Sequence, residues 1–287
     1  MFADRLRLMM LGRPKAGKTG AVAALLNAGF RVALLDFDLN PEPLLTFGPA
    51  STDRLSIISL RDKLIPQRDG TLAVRDEPTA MTKAHRALDD WGKVSPAHPW
   101  GPVNKWGSDT VLVLDSLTGF GDAAFNTVLF INGRGPGQIR DLDWGAAMRM
   151  EDNFLSWLVG PDFHCHLIVT AHLKMIGPKV ERFNEKNDDA ELVKAKTAIS
   201  LANAENMPTR YYPTALGRAL PQEILRRVPA SVLVEQVDGK RWIFTTPPND
   251  MPIDIGVPMK GVKARYPQEE GLLEIMAGVC GYREPPK

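Results

Sequence analysis

The chain has 287 residues, 44% of them hydrophobic and 24% charged, a balance that suits one large α/β domain or two small ones. Lys and Arg number 35 against 34 Asp and Glu, a formal charge of +1, so no global basic field advertises nucleic acid and such a contact must be a local patch. Two cysteines, Cys165 and Cys280, exclude a disulfide framework, the charged N-terminus excludes a signal peptide, and no apolar run reaches the roughly 18 residues of a membrane span.

The chain therefore reads as soluble and cytoplasmic, with no membrane contact. The first expected strand is Arg5–Leu11, running straight into glycine. A helix from about Lys18 to Asn27 follows, stopped by Gly29. Arg31–Phe37 is a second buried strand, and this strand-helix-strand order implies a parallel sheet with a right-handed crossover. Leu55–Leu60 reads as a further strand. Thr79–Trp91 reads as a helix with Met81, Ala84, Leu88 and Trp91 on its apolar face. Gly92–Gly107, with three prolines and two tryptophans, is an ordered surface excursion. Thr110–Asp115 and His166–Ala171 are continuous apolar runs, the pattern of central parallel strands, and Trp144–Val159 between them is an amphipathic helix.

After Lys174 the composition turns polar, and 174–214 reads as one long charged loop. Ser231–Gln236 and Arg241–Thr246 then form a hairpin about an Asp238-Gly239 turn, so that 230–265 makes the C-terminal hairpin and sheet edge. A short helix near Glu269–Met276 ends the chain. The expected fold is one α/β domain over 1–287: a mostly parallel central sheet flanked by helices, with a C-terminal antiparallel hairpin.

The chemistry starts at Gly12-Arg13-Pro14-Lys15-Ala16-Gly17-Lys18-Thr19, followed by Gly20. This is the P-loop pattern G-x-x-x-x-G-K-[ST], and it sits between an expected strand and an expected helix. Its glycines let backbone amides cradle phosphate, Lys18 reaches the β and γ oxygens, and Thr19 offers a hydroxyl to Mg²⁺. The expected ligands are ATP and Mg²⁺. Asp115, closing VLVLD, is the expected carboxylate for Mg²⁺. The residue after it is Ser116, so the carboxylate that orients water must come from elsewhere. Asp36 and Asp38 are the candidates, and Asp38 is preferred. His172, at the end of HLIVTA, is placed to meet the γ-phosphate. His164, Cys165 and His166 are too few for a zinc site.

Together GRPKAGKT, LLDFD, VLVLDSLTGF, the helix beginning DWG at Asp143, and LIVTAHL resemble the RecA-like ATPase superfamily. The likeness is to small phage RecA-like nucleotide-binding and single-strand-annealing recombination ATPases. It implies a RecA-like P-loop core that hydrolyses ATP at the interface of a homo-oligomer, ring or filament, in the bacterial host cytoplasm if phage-encoded. With eleven residues before Gly12, a RecA-type filament does not follow. The matching carboxylate in that family is usually Glu, where this chain has Asp38. The resemblance also implies trans-acting cations, for which Lys263 and Arg265 are the candidates. It further implies loops that touch DNA: 132–143, with Arg134 and Arg140, and 174–212, with Lys174, Lys179 and Arg182.

Single-stranded DNA is thus the expected partner, with a single-strand-binding or replication protein as a further one. Tyr211 and Tyr212 suit base stacking and equally suit a core before the hairpin. Two alternatives stand beside this reading: an ATP-dependent switch or loader acting on a protein, and a nucleotide or small-molecule kinase. A kinase needs clustered lid arginines, and the sequence has no compact cluster of them.

Overall fold

Six-residue strands that are buried at nearly every position form the centre of the molecule. The computed structural model describes residues 4–48, 53–67, 70, 72–74, 76–135, 138–177, 209–217, 220–249, 251–259 and 261–285. The strands are β1 Arg7–Gly12, β2 Arg31–Asp36, β3 Leu55–Ser59, β4 Leu64–Pro66, β5 Leu72–Val74, β6 Thr110–Asp115, β7 His166–Ile176, β8 Arg210–Pro213, β9 Ala230–Val237, β10 Lys240–Phe244 and β11 Arg265–Pro267. The helices are α1 Lys18–Asn27, α2 Glu42–Phe47, α3 Ala80–Asp89, α4 Trp91–Val94, α5 Leu117–Ile131, α6 Asp141–Val159, α7 Leu220–Ile224 and α8 Gln268–Cys280.

Nine strands form one mixed sheet in the order β11-β10-β9-β1-β7-β6-β2-β3, with β8 paired to β7 off that path. From β3 to β9 every pairing is parallel, whereas β10, β11 and β8 join antiparallel. Side-chain alternation sorts each central strand into two cores. Met9, Leu11, Leu112, Leu114, Leu167 and Val169 face α3, α5 and α6. Leu8, Met10, Val111, Val113 and Ile168 face α1 and α8. Full burial of one such side chain stabilises by about 1.5–3 kcal/mol, so both helical layers are held on by the strands.

The topology decides where a site can form. From β1 the chain passes to β2, works back through β6 and β7 to a place beside β1, and then crosses to β9 on its other side. The direction of winding reverses next to β1, and the carboxyl ends of the strands open a crevice at such a point.

The structure adds α2, β4, β5 and α7, for which the sequence gives no expectation, and differs from the expectations in four further places. The strand expected to end at Ala171 continues to Ile176 and pairs antiparallel with Arg210–Pro213, Lys174 opposite Tyr212. Both ends of the expected 174–214 loop are therefore a two-stranded ribbon; 178–208, with Lys179 and Arg182, lies outside the described residues. The helix expected over Thr79–Trp91 breaks at Asp90, whose backbone is extended and whose side chain accepts from the Gly92 N–H. α5 was not expected, because Gly119 and Gly121 fall in its first turns. α6 starts at Asp141 rather than Trp144. The hairpin turn is as anticipated, with Asp238 and Gly239 at φ 51° and 76°, a two-residue turn that matches strand twist. Among the described residues no helix is long and apolar enough to cross a membrane.

Candidate functional site

The loop from Gly12 to Thr19 leaves the carboxyl end of β1 and enters α1. A Cβ on Gly12 would run into the Val234 carbonyl of β9, so only glycine fits there. The turn passes through left-handed backbone at Lys15 and Gly17, φ 65° and 104°. α1 begins with no side-chain cap, which leaves its first N–H groups directed at the crevice. The Lys18 side chain folds back, with Nζ donating to the carbonyls of Gly12 at 3.0 Å and Arg13 at 3.1 Å. Burial lowers its pKa, against the pull of Asp115 and Asp38.

Two carboxylates face this amine from the ends of neighbouring strands. Asp115 is 4% exposed and accepts from Thr19 Oγ1 at 2.6 Å on one oxygen and from Thr170 Oγ1 on the other. Burial raises its pKa, and those two hydroxyls hold it down. Its peptide bond to Ser116 is cis. Asp38 accepts from Ser116 Oγ at 2.8 Å and lies 3.4 Å from His172 Nε2. Burial alone would raise Asp38, but the His172 and Ser116 hydrogen bonds, with the nearby Lys18 cation, leave it below its ordinary value. The other ring nitrogen of His172 is 3.2 Å from Lys18 Nζ. Asp36, at the end of β2, is buried, and its pKa is pushed up to about 6 by burial, Asp115 and Asp38. Its Oδ1 accepts from the Asn40 N–H at 3.4 Å. Asp36 is thus a buried acid within the fold, while Asp38 reaches the crevice.

Lys18, Thr19, Asp38, Asp115 and His172 therefore meet around one cavity of about 380 Å³, within the range of small-molecule sites. Lys15, Gly17 and Gly20 also line it. Arg13 points outward to Glu235 at 3.8 Å, and Ala16 is buried under the loop. Asp38 and His172 also wall a second cavity of about 270 Å³ that reaches Asp62, Asp122 and Asn126.

The remaining sequence candidates lie elsewhere. Arg265 stacks on Trp242 at 4.4 Å and Lys263 sits 5.8 Å from the Tyr266 ring. Arg134 is ion-paired with the fully buried Asp143, which also accepts from the Arg140 N–H and Asn132. Arg134 is thus a structural cation. Arg140 is exposed, and Lys174 is an exposed residue of β7. Tyr211 and Tyr212 are half-buried in β8, Tyr211 against the core. His166 is buried and its pKa is lowered to about 4 by burial, with Nδ1 accepting from the Leu6 N–H.

Three site residues carry no sequence signal. Thr170 lies inside an apolar strand, while Arg241 and Gln268 reach the cavity from β10 and α8. Only the fold brings these side chains to the loop.

Among the described residues no group of three or more His, Cys, Asp or Glu could hold a metal alone. The donors present suit Mg²⁺ instead: one hydroxyl, one carboxylate, and the remaining positions for phosphate oxygens and water. No family model matches the chain, and no curated protein matches it.

Proposed function

We propose that this chain is a RecA-like ATPase that binds Mg·ATP, hydrolyses it, and acts on single-stranded DNA in recombination, annealing or replication. The observation that carries this reading is the 2.6 Å contact between Thr19 and Asp115, made beside the buried amine of Lys18. A hydroxyl and a carboxylate converge there at the mouth of an uncapped helix, which is what a magnesium-bound phosphate chain needs.

Lys18 and the loop amides hold the phosphates. Thr19 and Asp115 hold Mg²⁺, whose charge favours attack at phosphorus when bound. Asp38, ionised and fixed by Ser116 and His172, orients the attacking water. His172 joins this centre to the DNA-facing segment, because Leu173 and Lys174 follow it in the ribbon that leads into 178–208. A homo-oligomer, with Lys263 or Arg265 reaching a neighbour's nucleotide, belongs to the same reading.

The test is steady-state ATP hydrolysis with and without single-stranded DNA, using Lys18→Ala as the blank. Turnover that DNA stimulates and salt suppresses supports the whole proposal. Turnover indifferent to DNA keeps the ATPase and moves the partner to a protein or a small-molecule acceptor. Wild-type turnover in Lys18→Ala removes the site assignment.

A further inference from the structure

Arg241 and Gln268 belong to the last third of the chain, yet both press on its first glycine loop. Gln268, the first residue of α8, donates from Nε2 to the Gly17 carbonyl at 2.5 Å. A Cβ on Gly17 would stand 2.6 Å from that same nitrogen and 2.7 Å from Arg241 Cδ. The loop is therefore held between α1 below and this pair above. Arg241 Nε is buried and finds no hydrogen-bond partner among the described residues. A buried charged donor without a partner is costly, and a shift of the side chain toward an arriving anion would relieve that cost. Both side chains line the cavity that holds Lys18 and Thr19. They also border an adjoining groove of about 550 Å³, lined by Gly239, Lys240, Trp242, Pro267 and Glu269.

We infer that Arg241 is a cation supplied in cis to the phosphate chain of the nucleotide, and that Gln268 is the latch that fixes the Gly17 turn against which Arg241 packs. This rests on the nucleotide reading and adds to it the identity of a second phosphate contact. A guanidinium suits the role, since it stays charged when half-buried and offers paired donors to phosphate oxygens. Lys18 approaches the phosphates from the β1 side and Arg241 from the β10 side, so one subunit grips the chain between two cations. The C-terminal sheet then acts as part of the binding site, and a lone subunit binds nucleotide without a neighbour. The occupant recognised by this pair is a polyphosphate carrying Mg²⁺, and the adjoining groove leaves room for its nucleoside.

The test is calorimetric titration of the full chain with Mg·ATP and, separately, with magnesium tripolyphosphate. Arg241→Gln should weaken both ligands by about 10- to 100-fold, the scale of a lost charge-assisted hydrogen bond. Arg241→Lys should recover part of that loss, and the ligand-free melting temperature should stay near wild type. Gln268→Leu, which leaves the charge and removes the latch, should weaken both ligands as well and guards against a folding defect in the first variant. Wild-type affinity in Arg241→Gln and Gln268→Leu, with Lys18→Ala failing to bind, overturns the inference and leaves the nucleotide site standing. A wild-type protein that binds neither ligand removes the nucleotide reading and this inference with it.

Discussion

His172 Nε2 lies 3.4 Å from Asp38 Oδ2, so the middle of β7 and the segment beyond β2 are tied at the carboxylate proposed to orient water. The opposite ring nitrogen faces Lys18 Nζ at 3.2 Å. One imidazole thus touches both the Lys18 amine and the Asp38 carboxylate. Asp38→Asn should reduce kcat by about 10²- to 10⁴-fold, the usual contribution of a positioned base, while ATP binding survives. His172 donates to the ionised form of Asp38 and helps hold its pKa below the ordinary value. His172→Leu should therefore move the acidic limb of the kcat profile to higher pH and remove DNA stimulation. A profile that stays in place would separate His172 from Asp38.

Thr170 makes a second prediction. It is buried in β7 and its hydroxyl donates to the Asp115 oxygen that Thr19 does not use. Burial already raises Asp115, and this hydrogen bond opposes the rise. Thr170→Val keeps the shape and deletes the donor, so the carboxylate becomes harder to ionise. Mg²⁺ affinity in the presence of ATP should fall by about 10-fold, the lower end for losing a residue behind a metal ligand. Activity measured across a magnesium titration checks this, and full rescue is expected at high Mg²⁺.

Arg134 and Arg140 divide a loop that the sequence offered to DNA as one basic patch. Arg134 is held by Asp143, whose carboxylate is fully buried at the start of α6. Removing the cation leaves that buried charge with fewer partners. Arg134→Ala should lower the melting temperature, whereas Arg140→Ala, at an exposed side chain, should leave it unchanged. Any loss of DNA affinity in Arg140→Ala at wild-type stability would be a contact effect, and it should shrink the salt dependence of binding.

What the sequence made legible follows from what each signal depends on. The loop motif, the two central apolar runs and the Asp-Gly turn are local, so Lys18, Thr19, Asp115 and the hairpin could be located by pattern alone. α5 was hidden because Gly119 and Gly121 look like helix breakers. Each is a close-approach position instead: a Cβ on Gly119 would meet Asp38 Oδ1 at 2.8 Å, and one on Gly121 would meet Leu216 Cγ at 3.1 Å. Arg241 and Gln268 carry no local signal because their place at the loop comes from the crossing of β9 to the far side of β1. The extension of β7 past Ala171 could not be read either, since Lys174 and Met175 carry no strand pattern without Tyr212 and Tyr211 opposite.

Glu151 gives a stability prediction with a definite sign. It is fully buried in α6, with one carboxyl oxygen accepting from the Leu216 N–H at 2.9 Å and the other without a hydrogen-bond partner among the described residues. Burial pushes its pKa up to about 8 from an ordinary 4.5, against that one hydrogen bond. The folded protein therefore holds a proton on Glu151 that the unfolded chain releases above about pH 4.5. Between those two values the native state binds more protons than the unfolded state, so stability falls as pH rises, and the loss is complete once pH passes about 8. Glu151→Gln keeps an acceptor for Leu216 and carries no charge to desolvate. It should match wild type near pH 5 and melt at a higher temperature at pH 8.5, flattening the pH dependence. Parallel melting curves for the two proteins across that interval would mean that Glu151 is ionised in the native state, and that the buried oxygen has found a partner such as water.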